Sequence, residues 1–420
     1  MSKLDSCSSR CQSEPSLPHA RNPSVTEMSL VRLRTTVGGL PWRSPKFRET
    51  RTIRLRPIYA TRVWQPTPRA ERGRGRMAVV SALRIAWVIY GSLDQVSGGY
   101  IYDRLVVEHL RALGDVVTII SLEPHGTSLP ALNGDDYDVV LGDELCFSEL
   151  APLFRAAPPG LKRVLLVHHL TAWEHAPGPI RDELLALEKS AIDAADVCIA
   201  TSHVTADRLQ RDGFTRPLVA EPGADRFERP PIAGQESSSA MRRLLFVGNI
   251  LPRKRVLELV KAFAALACAD AQLVLVGAEL SPGYAQEVRA VIEQAKIASR
   301  VHWLGPIDAA GVAAQLSLAE VLVLPSALEG YGMVLSEALW SGVPIIAARV
   351  GAAGELVSRT SAGLLYEPDD PNGLEAELTR FVGDRKLRRD LQRAAWRSAD
   401  QLPRWRDTAL TVRATLAKSR

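Results

Sequence analysis

The chain has 420 residues, 46% hydrophobic and only 6% aromatic, a size and balance that suit two α/β domains and exclude a small disulfide-framed module. Its net charge of +5 is unevenly placed: residues 1–76 hold 16 Lys and Arg against 5 Asp and Glu, which leaves −6 for residues 77–420. Nucleic-acid binding argued from the whole-chain charge is therefore excluded, and no apolar run reaches the ~18 residues that span a bilayer.

Residues 1–76 are rich in Arg, Ser, Pro and Thr, lack periodicity and end in Arg72-Gly-Arg-Gly-Arg76. Such composition predicts a disordered basic tail. It reads as a transit-like leader, as a basic arm for anionic lipid or nucleic acid, or as a segment outside the working protein, with Met77 as the natural start. The last reading is preferred because Met77 stands just before the first strand. There is no apolar h-region near the N-terminus, so a secretory signal is not expected. The five cysteines, Cys7, Cys11, Cys146, Cys198 and Cys268, are odd in number and scattered, which predicts reduced thiols in a cytoplasmic setting. Cys7 and Cys11 lack a partnering Cys or His pair, and no metal is expected there.

Residues 77–228 form the first predicted domain. Leu83–Tyr90 reads as a buried strand, followed by a glycine loop, Gly91 to Gly99, and a helix from about Tyr100 to Leu113. Strand, glycine loop, helix is an arrangement for cradling a phosphate or sugar, but the loop lacks the G-x-G-x-x-G spacing of dinucleotide binders. Strands follow at Val116–Ser121, Tyr137–Gly142, Arg163–His168 and Ala195–Ala200. Helices are expected from about Ser148, over Ile180–Ala194, and after the Ser202 cap to about Asp212. The alternation implies a parallel sheet whose sites lie at the strands' C-terminal ends, where His168 and His169 fall. Asp136-Tyr-Asp138 has the D-x-D form of metal-dependent sugar transferases, but it precedes a strand and reads as a solvated turn. Asp143-Glu144 is better placed, at a strand's C-terminal end.

A Pro- and Ser-rich linker, residues 229–240, leads to the second predicted domain, 241–400. Strands are expected at Arg243–Gly248, Gln272–Gly277, Val301–Leu304, Glu320–Leu324, Pro344–Ala347 and Gly363–Tyr366. Helices are expected at Val256–Ala267, Tyr284–Ile297, Ala309–Leu318 and Met333–Trp340, with another beginning near Pro371. Two loops carry chemistry. Asn249 to Arg255 ends in three cations, Arg253, Lys254 and Arg255, that can neutralise a diphosphate. Glu329-Gly-Tyr-Gly-Met-Val-Leu-Ser-Glu337 sets two acids around a helix start that attracts phosphate, with Gly330 and Gly332 permitting close approach. Acids that accept hydrogen bonds from hydroxyls, flanking an anion site, suit a nucleotide sugar.

These segments resemble the nucleotide-binding domain of retaining GT-B glycosyltransferases of family 4 (glycosyl transferases group 1). The likeness runs over about residues 241–385, through Phe246-Val-Gly-Asn-Ile-Leu-Pro-Arg-Lys254, Leu275-Val-Gly277, Leu304-Gly305, the two-glutamate motif, Gly342-Val-Pro344 and Gly354-Glu-Leu-Val357. Ser97-Gly-Gly99 and Val167-His-His169 fit the family's more variable acceptor domain. The resemblance implies two Rossmann-like domains with parallel sheets facing a central cleft, and a last helix, 401–420, packing back on the first domain. It implies transfer of a sugar from a UDP- or GDP-sugar to a glycan or lipid hydroxyl, forming an α-linkage without a metal. Alternatives are a phosphorylase or epimerase of the same fold, or a silent sugar-nucleotide-binding subunit.

Residue by residue, the resemblance implies Glu329 at the donor sugar, His168 near the transferred sugar and Glu337 at the ribose. It puts Arg253 and Lys254 at the diphosphate with amides around Gly330, Tyr331, Gly332, Met333 and Val334, Gly305 beside the base, and Gly98 and Gly99 facing the donor phosphates or acceptor. Asn249 departs from the pattern, which commonly has Arg there. A cytoplasmic location is expected, with peripheral contact at the inner membrane face left open as for relatives that glycosylate lipids.

Overall fold

The computed structural model describes residues 81–124, 126, 129–229 and 242–417. The predicted tail, Cys7, Cys11 and all of the predicted linker except Arg229 lie outside the described residues.

The first sheet contains β1 (Arg84–Tyr90), β2 (Val116–Leu122), β3 (Val139–Asp143), β4 (Lys162–Val167), β5 (Val197–Ala200) and β6 (Leu218–Val219) in the order β2-β1-β3-β4-β5-β6. All pairings are parallel. The helices between them are α1 (Gly98–Ala112), α2 (Phe147–Ala156), α3 (Pro179–Ala194) and α4 (His203–Arg211). Parallel strands covered on both faces read as unbroken apolar runs, and Ile85 through Ile89 are fully buried accordingly. The Asp138 carboxylate pairs with Arg84 at 2.7 Å and accepts from the Arg84 amide. The D-x-D segment thus fastens strand starts at the edge away from the cleft.

The second sheet contains β7 (Arg242–Val247), β8 (Ala271–Val276), β9 (Val301–Gly305), β10 (Val321–Leu324), β11 (Ile345–Ala348) and β12 (Gly363–Tyr366) in the order β12-β11-β10-β7-β8-β9, again all parallel. Its helices are α5 (Val256–Ala265), α6 (Pro282–Gln294), α7 (Ala309–Leu318), α8 (Met333–Trp340), α9 (Ala353–Thr360), α10 (Gly373–Gly383) and α11 (Arg385–Ser398). α9 is a single short amphipathic segment, and α11 is so polar that only Leu391, Ala395 and Ser398 are buried, so periodicity did not announce either. The helix expected near Pro371 is α10, which begins at Gly373 after a turn in which the Asp370 carboxylate accepts from the Asn372 amide.

α12 (Trp405–Ala417) returns to the first sheet and lies along α1. Trp405 is fully buried and meets the Tyr102 ring edge-on at 5.6 Å. Arg413 pairs with the buried Asp115 at 2.7 Å, and Thr408 donates to the Glu221 carbonyl. Gly223 is required here, since a Cβ would lie 2.1 Å from the Trp405 nitrogen. Trp405→Ala should cost about 3–5 kcal/mol, the usual range for emptying an aromatic site, measured as a loss of unfolding free energy in urea.

Candidate active site

In open α/β sheets ligands bind outside the carboxyl ends of strands where the strand order reverses. In the second sheet that point lies at β7, whose neighbours are β8 and β10. The two loops singled out in the sequence leave the C-terminal ends of β7 and β10, and the Ala327 amide donates to the Arg253 carbonyl at 2.7 Å to join them. In the first sheet the reversal lies at β1, between β2 and β3. Asp143 closes β3, and His168 follows the end of β4.

The Lys254 ammonium forms a short ion pair with Glu329, and both side chains are largely buried. Burial acts to raise the Glu329 carboxyl, but Lys254 and Arg253 outweigh it and hold the group below the usual carboxylate range. Glu329 is therefore an ionised acceptor beside a cation. Arg253 lies 3.3 Å from Glu174, which also meets His169 at 2.8 Å. Arg255 donates to the Pro368 carbonyl at 2.7 Å and takes a left-handed conformation as the cap of α5. Asn249 is a tie rather than a charge: it accepts from the Ala278 amide and donates to the Val96 carbonyl at 3.4 Å.

α8 opens on Gly332, whose φ of +86° suits glycine, and no side chain caps it. The first amides of the helix, at Met333 and Val334, thus keep their attraction for an anion. Glu337 lies one turn further, buried at 3% exposure, and accepts from Arg226 at 3.1 Å. Burial outweighs Arg226, so its carboxyl is raised where that of Glu329 is lowered. Gly305 ends β9 with φ +70° and accepts from the Gly277 amide.

The two walls touch at Gly330. Its missing Cβ would lie 2.2 Å from the His168 carbonyl oxygen, and its own carbonyl accepts from the Ser202 hydroxyl at 2.8 Å. Gly98 and Gly99 differ from expectation: they form the first turn of α1 rather than a loop, because Ser97 caps that helix, its hydroxyl accepting from the Tyr100 amide. Gly99 lies against the His168 ring, with a Cβ there 3.3 Å from Cδ2.

His168 Nε2 is buried and stands 3.5 Å from Asp103 and 3.5 Å from Asp143. The ligand atoms of these three side chains lie within 4.8 Å of one another, close enough to share one proton or one cation. The other oxygens are occupied: Trp87 donates to Asp103 at 3.3 Å, and the Leu145 amide to Asp143 at 2.8 Å. Buried Glu144 accepts from the His168 amide at 3.0 Å.

The structure therefore gathers Gly98, Gly99, His168, Arg253, Lys254, Glu329, Gly330, Tyr331, Gly332, Met333, Val334 and Glu337 around the facing sheet edges, with Gly305 at the end of a neighbouring strand. Sequence reasoning passed over Asp103, Glu174, Ser202 and Arg226 as site residues. Asp103 had a legible signal, an acid on the apolar face of α1. Arg226 had none.

The sequence model of the glycosyl transferases group 1 family matches residues 233–397. N-acetyl-alpha-D-glucosaminyl L-malate synthase of Bacillus anthracis is 32% identical over 155 residues, 37% of this chain and 39% of that protein. D-inositol 3-phosphate glycosyltransferase of Salinispora tropica is 32% identical over 236 residues, 50% of this chain and 49% of that protein. The chain thus spans about half the length, or less, of these curated relatives. Among solved structures, Anabaena Alr3699/HepE in complex with UDP-glucose matches with a TM-score of 0.66 at 18% identity, covering 80% of this chain and 100% of that one. The two facing six-stranded parallel sheets and this likeness establish the GT-B fold that the sequence implied.

Gly330→Ala should wedge the walls apart, because the obstructing atom is backbone. A loss of about 1–3 kcal/mol is expected from such overpacking, read by chemical denaturation, with the matched control Gly98→Ala, which meets nothing within 4 Å, losing less.

Proposed function

We propose, for a chain whose residues 233–397 match the model of the glycosyl transferases group 1 family, that the protein transfers a sugar from a nucleotide-diphosphate sugar to an acceptor hydroxyl with retention of the anomeric configuration. The observation that carries this reading is the Lys254–Glu329 pair beside the uncapped start of α8, at the point where the strand order of the second sheet reverses. Lys254 and the Met333 and Val334 amides offer positive potential to the leaving diphosphate, where charge grows as the glycosidic bond breaks. Glu329, kept ionised, accepts hydrogen bonds from hydroxyls of the donor sugar. Glu337 serves the ribose, giving up part of its bond with Arg226 to do so, and Gly305 borders the base. This division of labour needs no metal.

His168 and the first turn of α1 form the wall that the transferred sugar and acceptor face. The fold's likeness to a protein solved with UDP-glucose favours a uridine donor. The relatives are named for acting with L-malate and D-inositol 3-phosphate, so small polar acceptors join glycans and lipids as candidates. Among the described residues no helix is long and apolar enough to cross a membrane, and any lipid acceptor would be met at the membrane surface.

The test is a donor panel. UDP should raise the melting temperature more than GDP or ADP, and one UDP-sugar should turn over with an acceptor from the panel. Lys254→Ala and Glu329→Ala should each lower turnover by about 10²–10³-fold, the scale of losing one charge-stabilising group. Transfer intact in both variants at saturating donor would overturn the assignment, and nucleotide binding without turnover of any donor would favour a silent binding subunit.

A further inference from the structure

Three buried polar atoms in the first-sheet wall converge with no donor among them that satisfies the rest. Asp103 comes from the second turn of α1, Asp143 closes β3, and His168 follows the neighbouring parallel strand β4. Asp103 and Asp143 are 0% and 1% exposed. Asp103 Oδ1, Asp143 Oδ2 and His168 Nε2 have no hydrogen-bond partner among the described residues, and all lie within 4.8 Å of one another. Two buried carboxylates, each with an unmatched oxygen, are strongly unfavourable unless a charge compensates them.

Distance decides what that charge is. A proton shared between Nε2 and a carboxylate would draw the pair to about 2.7–2.9 Å, whereas both aspartate oxygens stand 3.5 Å from Nε2. An imidazolium would also leave the two aspartates with a net negative charge. A divalent cation fits on both counts. It cancels the two carboxylates while the imidazole binds as a neutral ligand, and tetrahedral bonds of about 2.1 Å set neighbouring ligand atoms ~3.4 Å apart. Glu144, the third acid nearby, has partners of its own, the His168 and His169 amides at 3.0 and 3.4 Å.

We propose that Asp103 Oδ1, Asp143 Oδ2 and His168 Nε2 bind one divalent cation of the zinc type, which ties α1 to the C-terminal ends of β3 and β4. Magnesium and calcium favour six or more ligands, nearly all oxygen, whereas zinc takes imidazole nitrogen and carboxylate oxygen together in a four-coordinate shell. Three protein ligands leave the fourth position to a solvent oxygen, the pattern of an exchangeable site.

The atoms behind the ligands are fixed in the way a metal site requires. Trp87 donates to Asp103 Oδ2 at 3.3 Å, and the Leu145 amide to Asp143 Oδ1 at 2.8 Å, so each aspartate turns its other oxygen inward. The His168 ring meets Tyr102 edge-on at 5.2 Å and lies against Gly99, where a Cβ would stand 3.3 Å from Cδ2. With Nε2 on the cation, the ring's hydrogen resides on Nδ1, so the metal also sets the tautomer. The inference goes beyond the donor site assigned above, and no step of sugar transfer is routed through the cation.

The test uses the full chain without an affinity tag, purified from zinc-supplemented medium and dialysed against metal-free buffer. Elemental analysis should find about one zinc per chain, and a chelator should remove it and lower the melting temperature, with recovery on adding zinc but not magnesium. Asp103→Asn/Asp143→Asn and His168→Gln should each weaken zinc binding by more than about 100-fold, beyond the 10–100-fold typical of losing an outer-shell partner. Circular dichroism checks that both variants keep the fold. Cobalt(II) loaded in place of zinc should give the intense visible bands of a four-coordinate ion without the near-ultraviolet charge-transfer band of a cysteine ligand. A wild-type chain that neither carries zinc nor takes it up on titration overturns the inference. Zinc retained in full by both variants, or a thiolate band in the cobalt spectrum, overturns it as well by placing the ion elsewhere. If the variants do not fold, the stoichiometry and cobalt spectrum of the wild type decide. These readouts need no donor or acceptor, so failure here and failure of the transferase reading are told apart.

Discussion

A glycine of one wall of the cleft rests against a backbone carbonyl of the other. Gly330 can rest on His168 because it has no Cβ, and the Ser202 hydroxyl, which also caps α4, fastens it there. From this contact the placement of the neighbouring groups follows. Glu329 is pinned one residue before it, and Gly351, with φ +53°, leaves room behind the Glu329 backbone, where a Cβ would lie 2.8 Å from the Glu329 carbonyl oxygen. The ion pair with Lys254 is therefore held by backbone on both sides. Such a buried pair is a weak source of stability, since desolvation consumes most of the attraction. Its value is orientation: a charged acceptor and a charged donor are held in a fixed relation by the fold itself.

The electrostatics of the two glutamates in the shared motif diverge because their partners do. Glu329 sees two cations and is stabilised as an anion, whereas Glu337 sees Arg226 alone and burial prevails. Ionised Glu329 accepts hydrogen bonds from hydroxyls wherever they are presented. Glu337, sharing Arg226, is a buried acceptor whose charge is already matched by one cation. The same motif thus produces two differently tuned carboxylates, and the tuning comes from residues outside it.

This division explains what was legible in the sequence. The strands are mostly apolar runs, the helices between them carry one apolar stripe, and the alternation of the two implies parallel sheets, though not the order of strands within them. The acids at Glu329 and Glu337 were visible because they flank one helix start. Their partners were not: Lys254 lies 75 residues before Glu329, and Arg226 lies 111 before Glu337. Lys254 could still be inferred, because its loop leaves the C-terminal end of a strand in the same sheet. Arg226 belongs to the segment joining the sheets, where composition predicts only a connection. Asp103 is an intermediate case, an anomaly on a buried helix face whose meaning needed His168, 65 positions away in sequence but adjacent in space, to be read.

That joining segment also constrains how the cleft can move. Described residues cross between the sheets at 220–229 and again at 399–405, and the two crossings are fastened to each other: the Ala224 amide donates to the Pro403 carbonyl, the Trp405 amide to Asp225, and Arg229 pairs with Asp400. Trp340 on α8 donates to the Phe227 carbonyl, and Arg226 reaches Glu337 on the same helix. One helix therefore carries the anion-attracting start at one end and leans on the crossings along its length. The crossings are packed with apolar side chains, including Phe227 and Trp405, while the contact at Gly330 consists of hydroxyls and carbonyls that water can replace. Opening the cleft at Gly330 costs exchangeable hydrogen bonds, and opening it at the crossings would expose a core. The crossings therefore tie the two sheets together through apolar packing, and α8, with its uncapped start, is seated beside them.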